Sequence, residues 1–480
     1  MAGASDIEDP EGAPALPSGS LAATAASALE AAPAPVRIEE STAAVWRLAW
    51  PVTTGLVLVS AVNLIDVVMV GRLGPEALAA VGYATQFHFL SQSVLFAVGF
   101  ACVAVMSRAI GAGDLERARH ALAASLLMSV ATAAVIVTAV LAFPHVWLGL
   151  LAAEPAVAEL TIPYLNFVLG SSLLLAVAMT IENGLRADKD TRTPMFIAGA
   201  VGVVKTGLNF VLIFGWMGFP RLELLGAGLA TFLAQGLGVL LFLVPVVRAR
   251  SDSPLALRPR DFAGARKLMP DVVRLSLPGL GERIAMNLGL LAYFRVLAEY
   301  GTVAIAAYSV GIRLLSFSWL PGSGIAAAAS TLVGHALGSG DAEAATRIGW
   351  RATRLAVAIA IVLGIACALA REPLARFVVD DAATVAALTP FLLCLAWSQP
   401  FLQAHFALGG AHRGAGDTFT PFLAATAGNW ALRVPLACLF AYVLKLPLVW
   451  VWYAIVFDHI TRTAWLTYTF HRGHWRQARA

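Results

Sequence analysis

Charge is what this sequence most lacks. Asp, Glu, Lys and Arg make up 13% of its 480 residues, against 59% hydrophobic residues. A soluble domain carries about a quarter charged residues, so this balance excludes an ordinary soluble fold and leaves a polytopic membrane protein. Cysteine is scarce as well. Cys102, Cys367, Cys394 and Cys438 stand singly in apolar runs, without metal-ligand or disulfide spacing, and read as packing residues. No GxxxxGKS/T stretch cradles ATP phosphates, and neither an HExxH nor a GxSxG motif occurs. ATP-driven transport and those enzyme chemistries therefore lose their support, and no cofactor or metal is expected. The net charge of +4 is spread over short loops, which argues against a nucleic-acid partner. Residues 1–42 are Ala/Pro/Ser-rich, with no Lys or Arg before Arg37. They lack the basic start and apolar core of a signal peptide and read as a disordered cytoplasmic tail.

What the sequence has in abundance is long apolar runs. A spanning helix needs about 20 apolar residues, and twelve runs qualify: 45–71, 78–106, 121–143, 157–183, 194–216 and 225–247, then 275–298, 303–333, 355–370, 384–409, 420–443 and 447–470. The ninth is short and is expected to extend at one end. The fold class is all-α, with twelve transmembrane helices.

The chain also repeats itself. "IGAGDLERA" from Ile110 and "LGSGDAEAA" from Leu337 share a Gly-x-Gly-Asp phrase, and Asp341 minus Asp114 is 227 positions. The same step carries Pro51 onto Pro278, and Arg186, Asp190 and Pro194 onto Arg413, Asp417 and Pro421. One offset at separate landmarks marks an internal duplication. Each phrase closes a helix, where Gly permits the turn and Asp caps the next helix.

Basic residues give the orientation. The loops after spans 2, 4, 6, 8 and 10, with the C-terminus, hold 20 Lys and Arg, and the opposite loops hold five. Basic loops stay cytoplasmic, so both termini are expected inside. Six spans per half make the repeat parallel, with a pseudo-twofold axis along the membrane normal. The expected domains are a six-helix lobe at 43–250, a cytoplasmic linker at 251–270 and a second lobe at 271–480.

"PVTTGLVLVSAVNLIDVVMVGRLGPEALAAVG", "LVGHALGSGDAEAA", "GAHRGAGDTFTP", "RVPLA" and the closing "FHRGHW" resemble, in this order and spacing, the multidrug and toxic compound extrusion (MATE) transporters. The resemblance covers about residues 43–475 and is nearest the DinF-type branch. It implies an antiporter of the plasma (inner) membrane, acting as a monomer. Such a pump moves amphipathic, often cationic, small molecules outward in exchange for protons or sodium, by rocking two lobes around a central cavity. The other reading, a lipid-linked oligosaccharide flippase of the related superfamily, rests on Lys205, Arg295 and Arg313 as a basic cavity.

Ionisable groups at bilayer depth are costly, so each one asks for a reason. Asp66, in "NLIDVVMVG", matches the family's coupling carboxylate. In the fifth span the family often carries Asn and, four residues on, Asp; here Lys205 and Asn209 stand there instead. Lys205 either pairs with Asp66, which favours proton coupling, or points into the cavity. Asn183 and Thr231 resemble positions that supply polar oxygens near the carboxylate. Glu282 is a loose match to a second-lobe glutamate, and the tenth span offers Gln399, Gln403 and His405 in place of an acid. The second-lobe cation site of the sodium-type branch is therefore expected to be absent. Glu282, Gln403 and His405, with the aromatic Tyr83, Phe87 and Phe89, are the candidates for the substrate cavity. Asp458 and Arg462 lie i, i+4 on one face, with Arg433 in reach, and read as a structural ion cluster.

Overall fold

The computed structural model describes residues 39–478. Most of the expected tail therefore lies outside the described residues. Among the described residues twelve long helical rods follow in order, with a short helix, Pro144–Leu150, between the third and fourth. The first six are α1 (Thr42–Gly71), α2 (Pro75–Gly111), α3 (Leu115–Ala142), α4 (Pro155–Ala187), α5 (Arg192–Phe214) and α6 (Glu223–Val247). The second six are α7 (Pro259–Leu297), the bent α8 (Thr302–Ser318 and Leu320–Gly338), α9 (Ala342–Val378), α10 (Ala382–Gly414), α11 (Phe419–Val443) and α12 (Leu448–Arg472). Among the described residues nine of these rods are long and apolar enough to cross a membrane, and the 40° bend makes α8 the tenth. α7 and α12 fall short because they carry Glu282, Arg283, Asp458 and Arg462.

The repeated phrase is a capping device. Asp114 accepts the Arg117 N–H at 2.9 Å to start α3, and Asp341 accepts the Ala344 N–H at 2.7 Å to start α9. Gly113 and Gly340 precede them at φ 76° and 85°, a left-handed backbone that other residues rarely adopt. Asp190 and Asp417 hold the N–H groups of Thr193 and Thr420 in the same way, each at 3.0 Å.

Two separate apolar cores fill the ends of the bundle away from the basic loops. One draws on the first six helices, with Ala80, Leu165 and Ile213; the other draws on the second six, with Tyr308, Phe391 and Trp452. At the basic face the halves merge. Val45, Leu48 and Ala49 of α1 pack into a core built from α8, α9, α10 and α12. There Thr331 donates to the Arg186 carbonyl at 3.1 Å and His335 meets the Ala187 carbonyl at 2.8 Å. Arg108 donates to the carbonyl oxygens of Ala415 and Ala478, and Arg347 grips both carboxylate oxygens of Glu40. Gly334 and Gly338 of α8 let the helices touch: a methyl at either would run into Ser107 or the Arg108 carbonyl of α2. Small residues four apart are the usual means by which membrane helices approach closely.

The linker differs from the expected loop. Its second half is already helix, since α7 starts at Pro259 and runs unbroken for 39 residues through Pro270 and Pro278. Ala265, Val272 and Leu275 of this stretch, with Leu255 before it, pack into the core of the first half. Their helical spacing explains why the segment is ordered against that surface. The short ninth span extends at both ends, to Ala342 and Val378.

Candidate functional site

The approach of α1 to α5 builds the site around Asp66. Gly199 and Gly202 of α5 lie against Leu58 and Val62 of α1, and Gly55 of α1 lies against the Met195 backbone. The absence of side chains at these positions brings the two helices close enough for short polar contacts further along. Lys205 Nζ then meets Asp66 Oδ2, and Asn209 Nδ2 donates to Asp66 Oδ1 at 2.6 Å. Lys205 and Asn209 are i, i+4 on α5, so one helix face grips both oxygens of one carboxylate. The Lys205 side chain is 17% exposed and that of Asp66 21%. In so sheltered a place a lone charge is costly and a paired one tolerable.

Three neighbours were not singled out from sequence. Tyr164 of α4 lies within electrostatic reach of Asp66, and His88 of α2 within reach of Lys205. Ser172 of α4 sits 3.3 Å from His88 Nδ1. Their only sequence signal is polarity inside an apolar run, which packing groups share.

Of the other expected members, Asn183 stands apart from Asp66. Asn183 is four residues from the basic-face end of α4, whereas Asp66 is five from the opposite end of α1, so depth separates them. Asn183 donates to Met179 O at 2.7 Å, and the Thr231 hydroxyl returns to the Ala227 carbonyl of its own helix at 3.0 Å. Glu182, the residue before Asn183, pairs with Arg186 one turn on.

The second half holds two further charge groups. Both carboxylate oxygens of Glu282 accept from Arg413 Nη2, at 2.9 and 2.8 Å. The Arg413 guanidinium also lies 4.9 Å from the Phe100 ring centre, and Arg283 lies 5.0 Å from that of Phe96. Deeper in, buried Asp458 binds Arg462 Nε and Nη2 at 2.5 and 2.8 Å and Arg433 Nη2 at 2.7 Å. A π-helical stretch of α11, Ala427–Arg433, sets Arg433 on this face, and Gly428 leaves room for the Asp458 carboxylate.

Several cavity candidates are buried or held by local partners. Phe87 is buried in the core of the first half and Tyr83 packs against it, while Phe89 is exposed. Gln403 is buried and donates to the Ser318 carbonyl, Gln399 donates to Ser318 Oγ at 2.8 Å, and His405 Nδ1 meets Leu402 O at 3.2 Å. Both amides are buried and held by Ser318 of α8. The three cations of a flippase-type cavity do not act together either. Lys205 is matched by Asp66 and Arg295 by Glu299, leaving Arg313 exposed.

With this geometry in hand, the chain can be set beside known proteins. The family model described as MatE matches it twice, at residues 51–211 and 278–439, whose first residues are 278 − 51 = 227 apart. The chain belongs to the MATE family. It is similar to the probable multidrug resistance protein NorM of Thermotoga maritima, with 28% identity covering 90% of this chain and 92% of that one. The NorM of Bradyrhizobium diazoefficiens is 30% identical, over 81% and 84%. The solved outward-facing conformation of a multidrug resistance MATE family transporter of the MOP superfamily has the same fold, at TM-score 0.83 and 21% identity, covering 90% of this chain and 96% of that one. The chain is thus an all-helical, multi-pass MATE transporter, an ion-coupled antiporter and not an enzyme, and MATE structures imply twelve spans for it.

Proposed function

We propose that this MATE transporter exports amphipathic organic compounds, organic cations among them, in exchange for protons, with Asp66 as the coupling carboxylate. The observation that carries the reading is the double hold on Asp66 by Lys205 and Asn209. Hard metal cations ask for several oxygen ligands. Here both carboxylate oxygens already face N–H donors, and an ammonium fills the place beside Oδ2. A proton needs only the carboxylate. Protonating Asp66 breaks the ion pair, strands the Lys205 charge and changes how α1 seats on α5. Asn183 and Thr231 then serve packing, and the Asp458 cluster is structural.

Drug-like cargo is favoured by the names of the NorM relatives. The DinF-type branch is favoured by an α1 aspartate combined with Gln399 and Gln403, rather than an acid, in α10. With the 20 basic loop residues inside, the merged face is cytoplasmic and both termini lie there. Halves packed together on that side, with separate cores on the other, favour an outward-facing reading of this arrangement. The moving bodies are the lobes 43–250 and 271–480, in a monomer of the plasma (inner) membrane.

The test is dye efflux from vesicles under an imposed pH or sodium gradient. The pH gradient should drive wild-type export, and Asp66→Asn should abolish it. A sodium gradient that works alone, or undiminished export by the variant, overturns the reading.

A further inference from the structure

Arg283 has no partner of its own kind of strength. Among the described residues no carboxylate or carbonyl oxygen takes a hydrogen bond from its guanidinium, and its contact is the ring of Phe96 on the other half of the molecule. A guanidinium offers five N–H donors and cannot be neutralised by losing a proton. The neighbouring Glu282 carboxylate lies in electrostatic reach of Arg283 but is shared with Arg413, and a charge compensated only in part is costly at this depth unless something anionic or water meets it. Glu282, the adjacent residue, has both oxygens committed to Arg413. The charge balance of the second half points the same way. Arg283, Arg413, Arg433 and Arg462 stand against two carboxylates, Glu282 and Asp458, while in the first half Lys205 and Asp66 cancel. This local excess of arginine favours an anionic group at this place in the second half.

We infer that Arg283, between Glu282–Arg413 and the rings of Phe96 and Phe100, is a binding site for the anionic head group, carboxylate or phosphate, of an amphiphile. The guanidinium fork matches the two oxygens of such a group, and the phenylalanine rings supply apolar area beside it. Because Arg283 and Phe96 belong to opposite halves, a bound anion sits where the lobes meet. The inference extends the export reading to a substrate class, but the binding step needs no gradient and is measured apart from transport.

The experiment compares three probes of one shape on the full chain in phosphatidylcholine nanodiscs: 1-pyrenebutyrate, 1-pyrenebutanol and a pyrenylbutyl trimethylammonium. Fluorescence should show the carboxylate binding on the order of tenfold tighter than the alcohol, and the ammonium weakest. Arg283→Gln should erase the preference while leaving the alcohol's affinity in place, which also shows that the variant is folded. Arg283→Lys should restore part of it. Equal affinity for carboxylate and alcohol in the wild type, or a preference that survives Arg283→Gln, overturns the inference. Nanodiscs with one third phosphatidylglycerol separate the sources. Arg283-dependent competition makes the occupant a lipid head group, and its absence makes it a soluble organic acid; both outcomes uphold the site. Binding that persists while proton-driven export fails would sink the coupling reading alone.

Discussion

Asn209 reaches Asp66 at 2.6 Å by its amide N–H, leaving its own Oδ1 buried without a hydrogen-bond donor. The amide is thus turned to donate to the carboxylate, at the expense of one acceptor. Such an arrangement holds only while Lys205 balances the opposite oxygen.

Removing Lys205 should therefore change the ion, and not only the rate. Lys205→Ala clears the space beside Asp66 Oδ2. We expect proton-driven efflux to fall at least about tenfold and a sodium stimulation absent from the wild type to emerge. Initial efflux rates at fixed pH with and without sodium check this.

The basic-face junction depends on glycine. Gly338→Leu puts a side chain into the Arg108 backbone of α2 and should hold the lobes apart there, at a cost of roughly 1–3 kcal/mol from overpacking. Spin labels at Ala112 and Ser339 should report longer distances in the variant. Unchanged distances would mean that the junction does not rely on close contact.

A pH effect should come from Asp188, just beyond α4. Burial, reinforced by the Asp190 carboxylate, pushes its carboxyl from 3.8 up to about 6. For an acid raised in the folded state, stability is highest below the unfolded value and falls as pH rises through the interval up to the folded one. Asp188→Asn should gain roughly 1 kcal/mol at pH 7.5, after discount for its partial exposure, and should flatten the dependence between pH 4 and 6. Thermal unfolding across that range measures both.

Asp458 pairs with both the buried Arg462 and the largely buried Arg433. Asp458→Asn strands them and should cost roughly 3–5 kcal/mol. Adding Arg462→Met should return part of the loss, which unfolding midpoints of the single and double variants would register. A mild effect of the single variant would mean that water reaches the cluster.

What could be read from sequence was local. The Gly-Asp phrases became caps because their chemistry involves four consecutive residues, and the span count follows from apolar length. Lys205 stood out because a charge in mid-span is rare. Side-chain reach between distant helices was hidden. Nothing in the sequence ties Glu282 to Arg413, 131 positions away, and Asn183 could be set near Asp66 only by ignoring depth. Phe87 was misjudged because a helix face cannot be assigned to core or cavity without knowing its neighbours. The prolines of α7 resemble breaks but lie inside an unbroken helix, and the π-helical stretches of α11 leave no compositional mark.

That continuous α7 decides how the halves are geared. At about 1.5 Å per residue its 39 residues make a rigid shaft of about 58 Å, with one end clamped to α3 through Gly264 against His120. A pivot of the second lobe by about 10° would swing a free shaft end by roughly 10 Å. The clamp opposes that excursion. Either Pro270 and Pro278 flex as knuckles or the clamp lets go, and the connector therefore works as a crank that meters the stroke instead of a slack cord.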